Sequence, residues 1–203
     1  MGYGSGSITK FGFASRLAAA LAYVTCQNKD SAALTVFDKG IRKQLPPGST
    51  RSHLRLLCDA MAGHKPRSQT DTAEALHYVA ENVRRRALIV LLSDLIDDTD
   101  KLQKALAHFR RNKHDVIVYQ TLDPAELTLP FKGSGQFRDM ETGQTLVTAP
   151  DEIRCAYQEA LGAHLDACRS LCSGMDIDYV LAPTNEDILR LVRYHLTRRI
   201  RQG

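Results

Sequence analysis

The chain has 203 residues, of which 43% are hydrophobic and 25% are charged, and its formal net charge is +4. These values are typical of one soluble globular domain, and no run reaches the ~18 apolar residues that a membrane-spanning helix requires. Five scattered cysteines and an N-terminus without a signal-peptide pattern argue against a disulfide-rich secreted scaffold. We therefore expect a single cytoplasmic domain over residues 1–203, with reduced thiols.

The first half of the chain alternates helical spacing with one turn signal. An alanine-rich segment opened by Ser15 indicates a helix, because a serine hydroxyl caps a helix N-terminus well. The turn residues Asp38 to Gly40 lie between two β-type runs and predict a hairpin. The predicted elements are a helix over 15–28, strands over 32–37 and 41–45, and helices over 50–62 and 70–83.

The second half alternates apolar strands with amphipathic helices. The predicted elements are strands over 87–92, 115–122 and 177–181, and helices over 100–112, 150–172 and 185–199. This alternation predicts a three-layer, doubly wound α/β fold with a mostly parallel sheet and helices on both faces. One segment, 129–149, interrupts the pattern and predicts an inserted β-hairpin.

The run Ala87–Leu92 leads directly into Ser93 and Asp94. Six apolar residues without alternation predict a strand that is covered on both faces and central in the sheet. Asp94 is then expected at the carboxyl end of that strand, where open α/β sheets bind their ligands. The alternative is that Asp94 only caps the helix that follows.

A hydroxyl and a carboxylate, Thr70 and Asp71, stand where the helix over 70–83 begins. One of them is expected to cap that helix, and both carry oxygen ligands of the kind that Mg²⁺ accepts. Together with Asp94, they would supply a hydroxyl and a carboxylate at the carboxyl edge of the sheet.

The remaining chemical groups favour structural roles. His164, Cys168 and Cys172 fall at i, i+4 and i+8 on one predicted helix, but no fourth ligand is marked. Buried thiols beside a satisfied histidine are therefore favoured over a metal site. The arginine and lysine clusters lie at helix C-termini, where cations meet the helix dipole favourably, so solvated helix ends are favoured over nucleic-acid binding.

Six segments of the chain, taken in order, closely resemble one family. They are TDTAEAL, RRALIVLLSDLIDD, HDVIVYQTLDPAELTLPF, FRDMETGQ, IRCAYQEAL and IDYVLAPTNEDILRLVRYHLTRR. The sequence resembles the DUF58 family, whose biochemical role is largely uncharacterised and which is similar to von Willebrand factor type A domains. The resemblance covers almost the whole chain, and its most specific part is the insert LDPAELTLPF…RDMETG. It implies a three-layer α/β fold of the type A kind.

Type A domains usually bind a divalent cation through three segments, and the resemblance implies only part of that site here. In the resemblance, the family's loop threonine corresponds to Thr70 and its later aspartate to Asp94. Asp71 and Ser93 are the neighbouring residues that would support these two ligands. The segment Asp-x-Ser-x-Ser, with its strand, would precede residue 1, and the N-terminal serines do not replace it. We therefore expect Mg²⁺ binding to be weak or absent, and a sheet without that strand to self-associate.

The resemblance implies a non-catalytic protein-interaction module. Its implied partner is a MoxR-type AAA+ ATPase, because family members are often encoded beside one. The alternative is a metal-assisted phosphoester hydrolase using Asp94 and Asp71, although the sequence marks neither a general base nor a second metal cluster. A basic nucleic-acid binder ranks last, and a homo-oligomer is expected from the exposed strand edges.

Overall fold

The computed structural model describes residues 1–38, 40–66, 72–96, 98–133, 135–138 and 145–202. The helices and strands in chain order are α1 (Lys10–Gln27), β1 (Ala32–Phe37), β2 (Ile41–Gly48), α2 (Arg51–Ala62), α3 (Thr72–Asn82), β3 (Leu88–Ser93), α4 (Thr99–Arg111), β4 (Asp115–Leu122), α5 (Pro124–Thr128), β5 (Gly135–Arg138), β6 (Thr145–Thr148), α6 (Pro150–Gly174), β7 (Asp178–Pro183) and α7 (Ile188–Gln202). Within these residues, no helix is both long enough and apolar enough to cross a bilayer.

Three parallel strands in the order β3–β4–β7 form the sheet that positions the candidate site. Leu91 pairs with Val118, and Val118 pairs in turn with Tyr179. Strand β4 is therefore central in the described sheet, and the prediction that the 87–92 strand is central is wrong. An apolar run indicates that both faces of a strand are covered. It does not indicate whether both edges of the strand pair with neighbouring strands.

Two hydrophobic cores cover opposite faces of this sheet. Successive residues of a strand point to opposite faces, and the residues of β4 alternate between the two cores accordingly. Val116 and Val118 pack in one core with α3, α4 and α6, while Ile117 and Tyr119 pack in the other with α1 and α7. This arrangement of helix, sheet and helix layers confirms the predicted α/β fold with a parallel sheet.

Two antiparallel hairpins accompany the parallel sheet. Strands β1 and β2 form the hairpin predicted around residues 38–40, and residue 39 lies outside the described residues. Strands β5 and β6 form the insert predicted within 129–149, and residues 139–144 are likewise outside the described residues. The Arg154 guanidinium donates to the backbone oxygens of Leu129 and Phe131, and so ties the start of this insert to α6.

Two helices have N-terminal caps other than those that the sequence suggested. Helix α1 begins at Lys10 rather than at Ser15, because the Thr9 hydroxyl accepts a hydrogen bond from the Gly12 amide and caps the helix one turn earlier. Helix α4 is capped by Asp98, whose carboxylate accepts from the Asp100 amide at 2.8 Å. The alternative role of Asp94 as the cap of this helix is therefore wrong.

Candidate functional site

Polar side chains converge where the three parallel strands end. Asp94 follows β3, Asp123 follows β4, and Thr184 follows β7, so all three lie at the carboxyl edge of the sheet. The start of α1 brings Lys10 to the same edge. We call Lys10, Asp94, Asp123 and Glu126 the carboxyl-edge cluster.

The Lys10 ammonium lies at the centre of this cluster. Its Nζ is 2.9 Å from Asp94 Oδ2 and 2.6 Å from Glu126 Oε1, and the residue is only 2% exposed. Burial by itself would lower the pKa of Lys10, but the two carboxylates outweigh burial and raise the pKa above its ordinary value. Lys10 is therefore a fixed positive charge at neutral pH and lacks the free amine that a nucleophile or base requires.

Asp94 is held in its ionised form at the end of β3. Its Oδ2 accepts hydrogen bonds from the Lys10 ammonium and, at 2.8 Å, from the Met1 amino group. Burial favours the neutral acid, but these two positive charges outweigh burial and lower the pKa of the Asp94 carboxyl. The loop that carries Asp94 is fixed as well, because Gln120 donates to the Asp94 backbone oxygen at 2.9 Å and Tyr179 donates to Gln120.

Asp123 is the acceptor for a second group of donors at the same edge. Its carboxylate accepts from the Ser5 amide and hydroxyl, from the Ala125 amide and, at 3.4 Å, from the Thr184 hydroxyl. Burial would raise the pKa of Asp123, but the hydrogen bonds from Ser5 and the other donors lower it. Asp123 also caps α5, since its carboxylate accepts from the Ala125 amide, and Glu126 Oε2 accepts from the Asp123 amide to complete a capping box.

Three members of the cluster, Lys10, Asp123 and Glu126, were missed by the sequence analysis. Asp123 directly follows an apolar strand, which is the same signal that singled out Asp94. Lys10 gave no such signal, because a lysine before an alanine-rich helix normally indicates a solvated residue. The burial of Lys10 depends on Glu126, which is 116 positions away in the sequence.

The predicted site residues are only partly brought together. Asp94 lies at the carboxyl edge as expected, and the Ser93 hydroxyl accepts from the Leu95 amide at 3.2 Å, which shapes the loop. Thr70 and Asp71 lie outside the described residues, so their predicted roles as ligands or helix caps stay predictions.

His164 and the thiols near it have the structural role that the sequence favoured. The His164 ring contacts the Leu95 backbone oxygen at 2.9 Å, which satisfies one ring nitrogen. Cys168 and Cys172 are fully buried, and burial raises the pKa of Cys172 to about 12. Both thiols therefore stay protonated at neutral pH and do not act as nucleophiles.

The carboxyl-edge cluster does not fit a resident Mg²⁺ ion in this arrangement. Mg²⁺ takes six oxygen ligands in a near-octahedral shell, whereas the Lys10 ammonium occupies the space between the Asp94 and Glu126 carboxylates. The Asp123 oxygens already accept hydrogen bonds from four donor groups. In the part of the chain that the structure describes, no three metal-ligating side chains are grouped for a metal ion.

Exposed apolar side chains are found at the same edge of the sheet. Ile96, two residues after Asp94, is 67% exposed, and Leu189, in the first turn of α7, is 63% exposed. Because β3 and β7 lie on opposite sides of β4, these two side chains follow the outer strands of the sheet at one edge. Ile96 and Leu189 therefore present two apolar side chains to solvent at the carboxyl edge of the sheet.

Comparisons with known proteins identify the family and the fold. The profile of the family described as "Protein of unknown function DUF58" matches residues 1–167. An uncharacterised protein of Mycobacterium avium, MAV169, is 29% identical over 131 residues, which are 64% of this chain and 76% of that protein.

Two solved structures share the fold at low sequence identity. The conserved hypothetical protein BatB of Bacteroides thetaiotaomicron superposes with a TM-score of 0.60 at 17% identity, over 92% of this chain and 87% of BatB. An aerotolerance-related membrane protein of Bacteroides fragilis gives a TM-score of 0.54 at 16% identity, over 93% of this chain and 87% of that one.

Proposed function

Because the chain belongs to the DUF58 family of proteins of unknown function, we propose that it is a non-catalytic protein-interaction module that binds its partner at the carboxyl edge of the sheet. The observation that carries this proposal is the presence of exposed Ile96 and Leu189 at the same sheet edge as a fixed, ion-paired charge cluster.

The chemistry of the cluster supports binding rather than catalysis. A general base must be free to take a proton, but Asp94 is ion-paired with Lys10, and Asp123 accepts from four donors. The alternative function, a phosphoester hydrolase using Asp94 and Asp71, gains no support from this geometry, because the Asp94 carboxylate faces an ammonium group. Asp71 lies outside the described residues.

The cluster also suggests how the module works without a metal ion. In the type A domains that the sequence resembles, a divalent cation supplies the positive charge at this edge. Here we assign that positive charge to the Lys10 ammonium, which is permanently present and buried between two carboxylates. Partner binding is then independent of Mg²⁺, and neither Mg²⁺ nor any other cofactor is required.

The resemblance supplies the candidate partner, a MoxR-type AAA+ ATPase. Ile96 and Leu189 offer that partner two apolar anchors, and buried apolar anchors usually carry most of the binding free energy in an interface. We assign the complex to the cytoplasm. The free thiols of the five cysteines support that compartment, because disulfides are rare in reducing surroundings.

The test is a binding measurement with the MoxR-type ATPase encoded in the same genome. The chain is immobilised, and its affinity is compared with that of a double variant, Ile96→Ser with Leu189→Ser. The control is Tyr23→Ser with Leu56→Ser, which removes two side chains of similar exposure on α1 and α2. Losing two anchors should weaken binding about 30-fold or more, and the control should change it less than about twofold.

Three results would contradict the proposal. Equal losses in the edge variant and in the control would place the interface elsewhere. No measurable binding of the unmodified chain would remove the MoxR-type ATPase as the partner. Phosphoester hydrolysis by the purified chain that is lost on Asp94→Asn would replace the proposed function with the enzymatic alternative.

A further inference from the structure

Two histidine side chains face each other between α3 and α4, away from the carboxyl-edge cluster. The Nδ1 atoms of His77 and His108 are 3.4 Å apart, and the centroids of the two rings are 5.7 Å apart. Both residues are half-buried, so solvent reaches the pair. The two histidines are 31 positions apart in the sequence, and no sequence motif connects them.

The packing of α3 against α4 fixes the positions of both histidines. Leu76 and Phe109, their neighbours in the sequence, are buried in the same hydrophobic core. Further along the two helices, the Asn112 side chain donates to the Ala80 backbone oxygen at 3.1 Å and links α4 to α3 directly. Two ligands on packed helices are preorganised, so binding one ion between them requires little further ordering.

The separation of the two nitrogens matches a tetrahedral metal site. It is 3.4 Å, which is longer than the roughly 2.7–3.2 Å that is usual for hydrogen bonds from N–H groups. Zn–N bonds of about 2.0–2.1 Å at the tetrahedral angle place two ligand nitrogens about 3.3–3.4 Å apart. Bonds of that length at a right angle, as in square-planar or octahedral sites, would place them about 2.9 Å apart. A tetrahedral ion therefore fits without movement of the helices.

The charges near the pair do not oppose a cation. Four charged residues stand about one helical turn from the histidines along the two helices: Glu74 and Glu81 on α3, and Lys104 and Arg111 on α4. Because two acidic and two basic side chains offset each other, imidazole chemistry rather than local charge decides which ion binds. Imidazole nitrogen favours zinc and related transition metals, whereas Mg²⁺ and Ca²⁺ prefer oxygen ligands.

We propose that His77 and His108 bind a Zn²⁺ ion between α3 and α4 through their Nδ1 atoms, with water in the two remaining tetrahedral positions. The bound ion joins two helices that cover one face of the sheet, and so it stabilises the folded chain. Within the described residues, no third metal-ligating side chain completes the site. A site with two protein ligands and two waters suits reversible binding of zinc rather than a permanent structural ion.

This zinc site is separate from the proposed ATPase interface. His108 lies in the last turn of α4, which ends just before β4 begins, so the pair lies towards the amino ends of the strands. The carboxyl-edge cluster lies at the other end of the same strands. The zinc site and the ATPase interface can therefore be tested independently, and failure of one leaves the other unaffected.

The test titrates Zn²⁺ into the full chain at about pH 7.5, where histidine ligands are not blocked by protons, and follows the imidazole resonances by nuclear magnetic resonance. The unmodified chain is compared with His77→Gln and with His108→Gln. The control is His64→Gln, which removes another half-buried histidine whose ring packs against Phe11.

We expect the resonances of both paired rings to shift together and to saturate with one bound ion per chain. Each variant of the pair should weaken Zn²⁺ binding at least about tenfold, because even groups that only support a metal ligand contribute about 10–100-fold to affinity. The control should change the affinity less than about twofold. If a variant does not fold, the titration of the unmodified chain still decides the question.

Thermal unfolding gives a second comparison. A ligand that binds the folded chain raises its Tm, so Zn²⁺ should raise the Tm of the unmodified chain and of His64→Gln more than that of His77→Gln. Zinc that binds the cysteines of the unfolded chain affects all three proteins equally, so the difference between them isolates the histidine pair. Mg²⁺ at the same concentration should leave all three Tm values unchanged.

Three results would overturn the proposal. Ring resonances of His77 and His108 that stay in place in excess Zn²⁺ would mean that the two imidazoles only contact each other. A shift of one ring without the other would mean that the ion does not join the helices. Equal Zn²⁺ affinity in the unmodified chain and in both variants of the pair would place the bound zinc elsewhere, such as on the exposed Cys155 thiol.

Discussion

Replacing Lys10 by methionine removes the charge at the centre of the carboxyl-edge cluster and keeps a side chain of similar length. Asp94 and Glu126 then face each other without the ammonium that now lies within 2.9 Å of each. Removing one partner of a buried ion pair typically costs about 3–5 kcal/mol, because an uncompensated charge stays buried. Asp94 keeps its contact with the Met1 amino group, and the Glu126 side chain is 21% exposed, so we expect the lower end of that range.

The assay is urea unfolding and thermal unfolding at neutral pH, each monitored by circular dichroism. A loss of about 3 kcal/mol corresponds to a fall in Tm of roughly 6–12 °C for a chain of this size. The matched control is Lys104→Met, which makes the same change at an exposed position of α4 and should alter stability by less than about 0.5 kcal/mol. Adding Asp94→Asn to Lys10→Met should restore part of the loss, because one buried charge is removed.

The pH dependence of this loss has a definite sign. The folded-state pKa of Asp94 lies below its ordinary value of 3.8, so its contribution is complete above that pH and is lost as the pH falls through the folded pKa. The folded-state pKa of Lys10 lies above 10.5, so its contribution is complete below that pH and is lost as the pH rises through the folded pKa. The difference between Lys10→Met and the unmodified chain should therefore be greatest between these limits. A difference below about 1 kcal/mol at neutral pH would refute the assignment of Lys10 as a buried, paired cation.

Three further predictions follow from burial and pKa. Leu91→Ala should lower the free energy of unfolding by about 2–5 kcal/mol, because Leu91 is 3% exposed in the core, and Leu189→Ala, at 63% exposure, should lower it by less than about 0.5 kcal/mol. Similar losses in urea unfolding would show that β3 is not packed as described. A disulfide reagent at mildly alkaline pH should label Cys155, which is exposed, well before Cys168 and Cys172, which are buried thiols with raised pKa values; early labelling of the buried pair, detected by peptide mapping, would contradict their burial. Tyr179→Phe should destabilise the chain by about 1 kcal/mol, because the hydroxyl that donates to Gln120 is lost, whereas Tyr23→Phe should not change stability. Equal costs for both variants would show that the Tyr179 hydroxyl does not stabilise the Asp94 loop through Gln120.

The sequence predicted the placement of Asp94 because strand hydrophobicity and the position after a strand are local signals. Apolar residues of one strand indicate coverage by helices, and the residue after the strand must then lie at the sheet edge. Strand hydrophobicity did not predict that β4 is the central strand, because the order of strands depends on which strand edges pair. The hairpins at β1–β2 and β5–β6 were predictable, since turn residues stand between β-type runs.

Lys10 shows why the rest of the site could not be predicted. Lys10 is buried only because the N-terminal turn of α1 contacts the end of β3 and the start of α5. No sequence pattern within any one of these segments predicts that contact. The early start of α1 was missed for a related reason. The sequence pattern marks the alanine-rich part of the helix, while the Thr9 cap is recognised only when the turn before it is known.

The most direct test of the central claim measures partner affinity with and without a divalent cation. The chain is titrated with the MoxR-type ATPase in excess Mg²⁺ and in excess chelator. A separate titration of the ATPase with its nucleotide in each solution is the control for the nucleotide state. If the Lys10 ammonium supplies the fixed positive charge at the carboxyl edge, the Kd is the same in both solutions and rises in Lys10→Met. A Kd that rises at least about tenfold in chelator for the unmodified chain, and is unchanged in Lys10→Met, would show that a metal ion rather than Lys10 supports the interface.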